Sequence, residues 1–218
     1  MRLGPAAIVL ATTSLALVGC GGSDDETSTS EDQSASCTDV EEAPAKKVNL
    51  QRPPLKAPPA GTKAVLETSC GTIEIELDGE RAPRTAASFA YLVEEGAYDN
   101  TGIIRVASNP PIIQGGDPSG DQTGDAGYFV DEPPASDTTY DEGTVAMAKS
   151  PVEPPGRSSS QFFIVSGAGF PPTPDYALVG NVTGGLDVVK AIAELGLAEG
   201  DGPPTEPVVV LGASLEGD

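Results

Sequence analysis

Short segments with strand-like alternation dominate residues 63–216, and they constrain the fold more than any other feature of the chain. Residues 72–77 alternate polar and apolar side chains strictly, which is typical of a β-strand with one face in water. Helical periodicity occurs in two segments: one starts at Pro83 and stops before Gly96, and the other spans 186–195. Many strands with two separated helices predict a mostly β domain, a closed antiparallel barrel capped by two α-helices. The other strands are predicted at 102–106, 112–115, 144–148, 161–165, 177–183 and 208–214.

Two of these strands carry a neutral amide side chain in an otherwise apolar run, at Gln114 and Gln161. A buried amide needs hydrogen-bond partners, so the two strands predict a groove that is partly polar and partly apolar. Because side chains alternate between the two faces of a strand, five residues are expected on one surface. They are Arg105, Gln114, Gln161, Ile112 and Phe163. The same alternation predicts that Ile103 shares the face of Arg105.

Each of these residues also has an ordinary structural explanation. An Arg on a barrel strand is usually a surface charge, and Gln114 is also consistent with a partner for loop backbone. Phe163 is equally consistent with a plain core residue.

The chain contains no His, which removes the usual general base at neutral pH. The predicted groove has no nucleophile–base pair, metal-ligand cluster or phosphate-binding loop, so neither a metal nor a cofactor is expected. The run Gly115-Gly116-Asp117 is interpreted as a turn, because no helix or Lys follows it at P-loop spacing. The net charge of −21 argues against nucleic-acid binding.

The first 19 residues have the pattern of an export signal, with Arg2 followed by an apolar run that is too short to span a bilayer. The run ends in Leu17-Val18-Gly19-Cys20, which resembles a bacterial lipobox. We therefore expect a lipoprotein signal peptide over 1–19, acylation of Cys20, and a lipid anchor on the outer face of a bacterial membrane. The alternative is an ordinary cleaved signal with an incidental Cys.

Residues 20–62 are first acidic and then rich in Pro, which predicts a disordered linker ahead of a single domain at 63–218. Cys37 lies in this linker, and Cys70 lies at a predicted strand turn. An even pair of Cys in an exported protein predicts a disulfide, although two free thiols remain the alternative.

Six sequence motifs, in the same order along the chain, resemble those of the cyclophilin family of peptidyl-prolyl isomerases. They are Gly71-Thr72-Ile73, Ala82-Pro83-Arg84-Thr85, Ile104-Arg105-Val106, Ile112-Ile113-Gln114-Gly115-Gly116-Asp117, Val145-Ala146-Met147-Ala148 and Ser160-Gln161-Phe162-Phe163-Ile164. The resemblance implies an eight-stranded antiparallel barrel with two capping helices, in agreement with the strand pattern.

The resemblance also implies roles for individual residues. Arg105 falls on the catalytic arginine of the family, and Gln114 on its groove glutamine. Ile112 and Phe163 fall on the proline pocket. Further groove positions fall on Gln161, Ala148, Lys149, Pro111, Phe170 and Tyr176.

Several of these positions depart from the family pattern. Pro111 replaces an aromatic residue, Lys149 replaces an Asn, and Tyr176 replaces the groove His. The Trp-Leu pair of the family falls near 170–172, and its Phe-His pair falls on 103–104. The polar centre of the groove is retained while its rim is altered.

These features predict a monomeric, membrane-anchored peptidyl-prolyl isomerase that acts on X-Pro segments of exported proteins. A guanidinium suits this reaction because rotation about the bond needs no proton transfer. One alternative is a peptide-binding module that kept the barrel and lost turnover, and another is a secreted barrel that binds a small ligand.

Overall fold

The computed structural model describes residues 36–171, 173–197 and 200–217. The predicted signal peptide, Cys20 and the first part of the predicted linker lie outside the described residues. Of the helices in the described ranges, none has the length and apolar character needed to cross a membrane.

The described chain forms eleven strands and two helices. The strands are β1 (Lys63–Thr68), β2 (Gly71–Leu77), β3 (Thr101–Ser108), β4 (Pro111–Gly115), β5 (Val130–Asp131), β6 (Thr144–Met147), β7 (Arg157–Ser158), β8 (Phe162–Val165), β9 (Leu178–Gly184), β10 (Asp201–Gly202) and β11 (Val209–Glu216). The helices are α1 (Pro83–Glu94) and α2 (Leu186–Glu194).

Eight of the strands form a closed antiparallel ring in the order β3-β11-β1-β2-β9-β6-β8-β4, and β4 pairs back with β3. β10 is an additional short strand that pairs with β3, and β5 pairs with β7 in a separate two-stranded sheet. The prediction of a mostly β fold with a closed eight-stranded barrel and two helices is confirmed.

The two faces of the barrel strands bury different clusters. Phe162 and Ile164 point into the main core, where Phe162 packs edge-on against Phe89 of α1 and against Tyr98. The intervening Phe163 lies on the opposite face with Ile112 in a smaller cluster. This period of two agrees with the predicted strand faces.

Helix α1 begins at Pro83, whose missing N–H suits the first helical turn. Ala82 provides no side-chain cap, so the free backbone N–H groups of Arg84 and Thr85 donate instead to the carboxylate of Glu132, at 3.1 and 2.6 Å. A negative charge here also interacts favourably with the positive end of the helix dipole. α1 is thereby fixed to the loop that follows β5.

A β-bulge between Ile103 and Arg105 corrects one sequence-based prediction. Ile103 pairs with Gly115 and Arg105 pairs with the next residue, Gln114, so Ile104 is the extra residue on β3. The bulge places Ile103 in the barrel core and Arg105 on the opposite face. The prediction that Ile103 and Arg105 share a face was therefore wrong.

Residues 36–62 have neither helix nor strand, but they lie against the barrel rather than forming a separate spacer. We call this segment the N-terminal strap. Cys37 forms a disulfide with Cys70, the Lys46 ammonium donates to the carbonyl oxygens of Gly96 and Asp99, and the Leu50 N–H donates to the Ala126 carbonyl. The strap packs against the core through the half-buried side chains of Val48, Leu50 and Leu55.

The docked strap differs from the disordered linker that the sequence predicted for 20–62, over the part from residue 36 onward that the structure describes. Several Pro residues pre-set an extended backbone, so docking the strap costs less conformational entropy than docking a Gly-rich segment would. The disulfide closes a loop across a sequence separation of 33 residues, which stabilises the fold by about 3–4 kcal/mol in the chain-entropy model.

Candidate functional site

A continuous chain of hydrogen bonds joins the three polar side chains that the sequence placed on one surface. An Nη1 proton of Arg105 is donated to Oε1 of Gln114 at 2.9 Å, and Nε2 of Gln114 donates to Oε1 of Gln161 at 3.0 Å. These residues meet because β3, β4 and β8 are neighbours, with Arg105 opposite Gln114 and Gln114 opposite Phe163. The predicted grouping of Arg105, Gln114 and Gln161 is thus present in the structure.

The far end of this chain is fixed by the turn that follows β4. Nε2 of Gln161 donates to the carbonyl oxygens of Gln122 and Gly124, at 3.1 and 3.0 Å. The buried carboxylate of Asp117 holds that turn by accepting the backbone N–H groups of Ser119, Gln122 and Gly124. Asp117 therefore has a structural role in the turn that the sequence predicted.

Gly116 is required at the start of this turn. Its φ is +76°, and a Cβ there would lie 2.6 Å from the Ser160 carbonyl oxygen and 2.8 Å from the Phe162 ring. A larger residue would combine an unfavourable backbone conformation with a steric clash.

Arg105 has a second partner, Asp201, that the sequence analysis missed. Nε and Nη2 of Arg105 donate to the two carboxylate oxygens of Asp201, at 2.5 and 2.6 Å. These hydrogen bonds raise the pKa of Arg105 and lower the pKa of Asp201. The sequence carries no signal for this pair, because Asp201 lies 96 residues beyond Arg105 on the two-residue strand β10.

The polar residues open onto a groove of about 810 Å³. Six of the predicted site residues line it: Arg105, Gln114, Gln161, Ala148, Lys149 and Tyr176. The opposite wall includes the partly exposed ring of Phe129, with the guanidinium of Arg157 4.3 Å above the ring centroid. The groove thus combines hydrogen-bonding groups with exposed aromatic surface.

Three of the apolar residues predicted to bind substrate, Ile112, Phe163 and Phe170, are not in the lining of this groove. Ile112 and Phe163 are each only 3% exposed, and the Phe170 ring is stacked on Phe163 with 5.4 Å between centroids and 8° between planes. Tyr176 contacts the same Phe163 ring edge-on at 5.0 Å. In this structure, therefore, Phe170 and Tyr176 pack against the Phe163 ring that the family resemblance assigned to the proline pocket.

Pro111 is also outside the groove. It begins β4, and its carbonyl accepts the Ser166 N–H. Pro111 therefore contributes to the start of the segment 166–176 that carries Phe170 and Tyr176.

Lys149 lines the groove but its ammonium is already bound. The side chain is 4% exposed, and Nζ forms an ion pair with Asp175 at 2.8 Å and donates to the Glu153 carbonyl at 3.1 Å. The same Nζ lies 5.6 Å from the centroid of the Tyr176 ring. Lys149 thus links the segments on the two sides of the groove.

Tyr140 is a further site residue that the sequence analysis did not identify. Its hydroxyl donates to the Tyr176 carbonyl at 2.7 Å and accepts the Tyr176 N–H at 2.9 Å. These two bonds fix the backbone of Tyr176 next to Phe163. Tyr140 lies outside the sequence motifs described above, so its sequence context does not distinguish it from an ordinary core residue.

Comparisons with known proteins place the barrel in one family. The model of the "Cyclophilin type peptidyl-prolyl cis-trans isomerase/CLD" family matches residues 63–215. A "Probable peptidyl-prolyl cis-trans isomerase B" of Mycobacterium leprae is 34% identical over 175 residues, covering 72% of this chain and 58% of that protein. A "Spliceosome-associated protein CWC27 homolog" of Xenopus laevis is 35% identical over 156 residues, covering 68% of this chain and 31% of that protein. The chain therefore spans well under two thirds of the length of these relatives.

Solved structures support the same fold. A Cryptosporidium parvum cyclophilin-type peptidyl-prolyl cis-trans isomerase, crystallised in the presence of the dipeptide Ala-Pro, matches with a TM-score of 0.63 and 22% identity. The match covers 72% of this chain and 99% of that one.

Proposed function

This chain belongs to the family of cyclophilin-type peptidyl-prolyl cis-trans isomerases, and we propose that its own barrel isomerises X-Pro peptide bonds. The observation that carries the proposal is the guanidinium of Arg105, which lines the groove and is held by Gln114. Because the groove rim departs from the family pattern at Pro111, Lys149 and Tyr176, turnover by this chain calls for a direct assay.

The barrier to rotation about an X-Pro bond is about 18–20 kcal/mol, because the planar amide has partial double-bond character. Twisting the bond breaks the conjugation and leaves a lone pair on the prolyl nitrogen. A guanidinium N–H directed at that nitrogen binds the twisted state more tightly than the planar state. Arg105 suits this role because it stays charged and has several fixed donors.

Gln114 supports the reaction by orientation. Its amide oxygen accepts from Arg105 and its amide nitrogen donates to Gln161, so both hydrogen-bonding ends of the side chain are fixed. A preorganised donor needs little rearrangement when the transition state forms. No step in this mechanism requires a general base.

The decisive experiment is an isomerisation assay on an Ala-Pro-containing peptide, using the chain from residue 21 onward. We expect acceleration of cis–trans exchange by the wild-type chain and loss of that acceleration in Arg105→Ala. No acceleration by folded wild-type protein, or equal acceleration by the variant, would contradict the proposal.

The covered ring of Phe163 favours a second candidate function, a peptide-binding module without turnover. Phe170 lies where a proline ring would have to stack to contact Phe163. Exchange NMR on a Pro-containing peptide separates the two candidates. The non-catalytic module would broaden or shift the Phe163 resonances at an unchanged cis–trans exchange rate.

We infer that the clients are exported proteins and that the protein acts as a membrane-anchored monomer. The signal-like residues 1–19, the lipobox-like Cys20 and the disulfide between Cys37 and Cys70 support an extracytoplasmic location, because disulfides persist in oxidising compartments. Each strand of the closed ring is already paired on both sides, which favours a monomer. Radiolabelled palmitate should enter the wild-type chain but not Cys20→Ser, and sedimentation should give one chain per particle.

A further inference from the structure

Asp201 is bound to Arg105 through one specific edge of the guanidinium. A guanidinium has five N–H donors arranged in a rigid plane. The carboxylate of Asp201 takes Nε and one N–H of Nη2, while Gln114 takes one N–H of Nη1. One donor on each terminal nitrogen is left for a substrate.

The two partners of Arg105 lie on different sides of it. Arg105 and Gln114 line the groove, whereas Asp201 is outside its lining. The carboxylate occupies the Nε–Nη2 edge of the guanidinium, so the Nη1–Nη2 edge is the one that remains for a ligand in the groove.

The backbone holds Asp201 in the position that this contact needs. Asp201 pairs directly with Ala107 of β3, so its side chain lies on the same face as Arg105, two residues further along that strand. The Ser108 N–H donates to the Gly200 carbonyl at 3.3 Å, which extends the pairing by one residue. β10 thus attaches Asp201 to the strand that carries Arg105.

An ordinary surface ion pair would explain this contact less completely. The exposed pair of Lys190 with Glu142, for example, is joined at 3.1 Å by a single contact to a flexible ammonium. The Asp201 contact is bidentate, and its Arg105 side chain is only 23% exposed. A bidentate fork fixes the plane of the guanidinium as well as its distance.

We propose that Asp201 is a positioning residue for the isomerisation reaction, in that its carboxylate fixes the plane of the Arg105 guanidinium and directs the Nη1–Nη2 edge to the prolyl nitrogen. This inference rests on the proposed isomerase function. It adds a residue from the short strand β10, outside the motifs that carry the family resemblance.

The test compares Asp201→Asn, Asp201→Ala and Asp201→Glu in the chain from residue 21 onward, with Glu142→Gln as the control that removes an exposed ion pair elsewhere. We expect kcat/KM to fall about tenfold in Asp201→Asn and further in Asp201→Ala, because a small misalignment of a catalytic donor costs one to two orders of magnitude. The loss should appear in kcat, with KM within about twofold of wild type, since Asp201 does not line the groove. Asp201→Glu should recover most of the activity, and Glu142→Gln should match wild type.

A spectroscopic measurement makes the test independent of turnover. The Hε resonance of Arg105, assigned by its absence in Arg105→Lys, should be shifted downfield and protected from exchange in wild type. Both properties should be lost in Asp201→Asn while the amide spectrum of the barrel core is unchanged.

Each outcome distinguishes the two proposals. An inactive wild-type protein overturns both of them. An active wild-type protein with an equally active or more active Asp201→Asn variant overturns the positioning role alone. A loss of activity confined to KM, or equal loss in Glu142→Gln, would also overturn it.

Discussion

The ring of Phe170 lies parallel to the ring of Phe163, with 5.4 Å between the centroids. We expect a substrate ring that stacks on this face of Phe163 to compete with Phe170 for it. An aromatic pair of this kind is worth about 0.5–1.5 kcal/mol beyond the area that it buries. We therefore expect the contact with Phe170 to lower the affinity of the proposed site for a proline-containing peptide.

Removal of this contact should improve peptide binding. In Phe170→Ala we expect a fall in Kd of up to about tenfold, because about 1.4 kcal/mol corresponds to one order of magnitude. Titration of an Ala-Pro-containing peptide by NMR measures the change. Leu211→Ala, which removes an exposed apolar side chain on β11, is the control and should leave Kd unchanged. Weaker binding in Phe170→Ala would mean that Phe170 itself contacts the peptide.

The rigid fork of Arg105 should matter more than its charge. Arg105→Lys keeps a positive charge but lacks the planar guanidinium that binds Asp201 and Gln114 simultaneously. We expect both Arg105→Lys and Arg105→Ala to lower kcat/KM by about 100-fold or more, a loss typical of removing one preorganised donor. Arg81→Ala, which removes a surface arginine with one side-chain contact to Thr138, should leave kcat/KM unchanged. Near-normal activity in Arg105→Lys would show that charge alone is sufficient.

Isomerase activity should be nearly independent of pH between 5 and 8. The chain has no His, and both cysteines among the described residues are in the disulfide. Asp201, which holds Arg105, has a pKa below its usual value, so it stays ionised throughout this range. A profile of kcat/KM against pH measures this directly, and a bell-shaped curve centred near pH 7 would contradict the mechanism.

At lower pH the same carboxylate should influence stability. Because the folded state lowers the pKa of Asp201, its carboxylate contributes fully to the free energy of unfolding above the unfolded-state pKa, which is near 4. This contribution is lost as the pH falls through the lower folded-state pKa. The hydrogen bonds from Ser119 and Thr123 lower the pKa of Asp121 to about 2, so this carboxylate should stay mostly ionised until the pH falls to about 2. Urea unfolding between pH 2 and 6 should show a smaller loss of stability with acid in Asp201→Asn than in wild type. An equal pH dependence of the unfolding free energy in the variant and in wild type would mean that the Arg105–Asp201 contact does not form in solution.

The disulfide should affect stability and leave catalysis unchanged. Replacing both Cys37 and Cys70 by Ser should lower the free energy of unfolding by about 2–4 kcal/mol, as loss of a native disulfide commonly does. Neither residue lines the groove, so kcat/KM should equal that of wild type. Urea unfolding and the isomerisation assay measure the two effects in the chain from residue 21 onward, with the wild-type chain as the reference. A loss of activity in the double variant would mean that the strap influences the groove.

The strands were predictable because one face of each is buried in the barrel. The period of two separated Phe162 from Phe163 and identified the surface that carries Gln114 and Gln161. Resemblance to the family then selected Arg105 from the other charged residues. These two kinds of information were sufficient for the barrel and for the polar half of the site.

The differences have specific physical causes. A bulge adds one residue at Ile104, so Ile103 and Arg105 lie on opposite faces of β3. A sequence pattern that assumes strict alternation gives no sign of the bulge. Asp201 contacts Arg105 from a strand of only two residues, which is too short to show a hydrophobic periodicity in the sequence. The strap has the composition of a linker, and its docking side chains, Val48, Leu50 and Leu55, are too few to form a recognisable pattern.

The disulfide at Cys37 limits the maximum distance between the proposed lipid anchor at Cys20 and the barrel. A freely detached segment from residue 20 to residue 62 would allow at most about 150 Å between the acyl group and the start of the barrel, at roughly 3.6 Å per residue. Because Cys37 is covalently joined to the β1–β2 turn, the same limit falls to about 60 Å, the contour length of 17 residues. Because Lys46 and Leu50 also hold the strap to the barrel, reduction of this one bond would raise the limit to about 94 Å, the contour length of the 26 residues from Cys20 to Lys46.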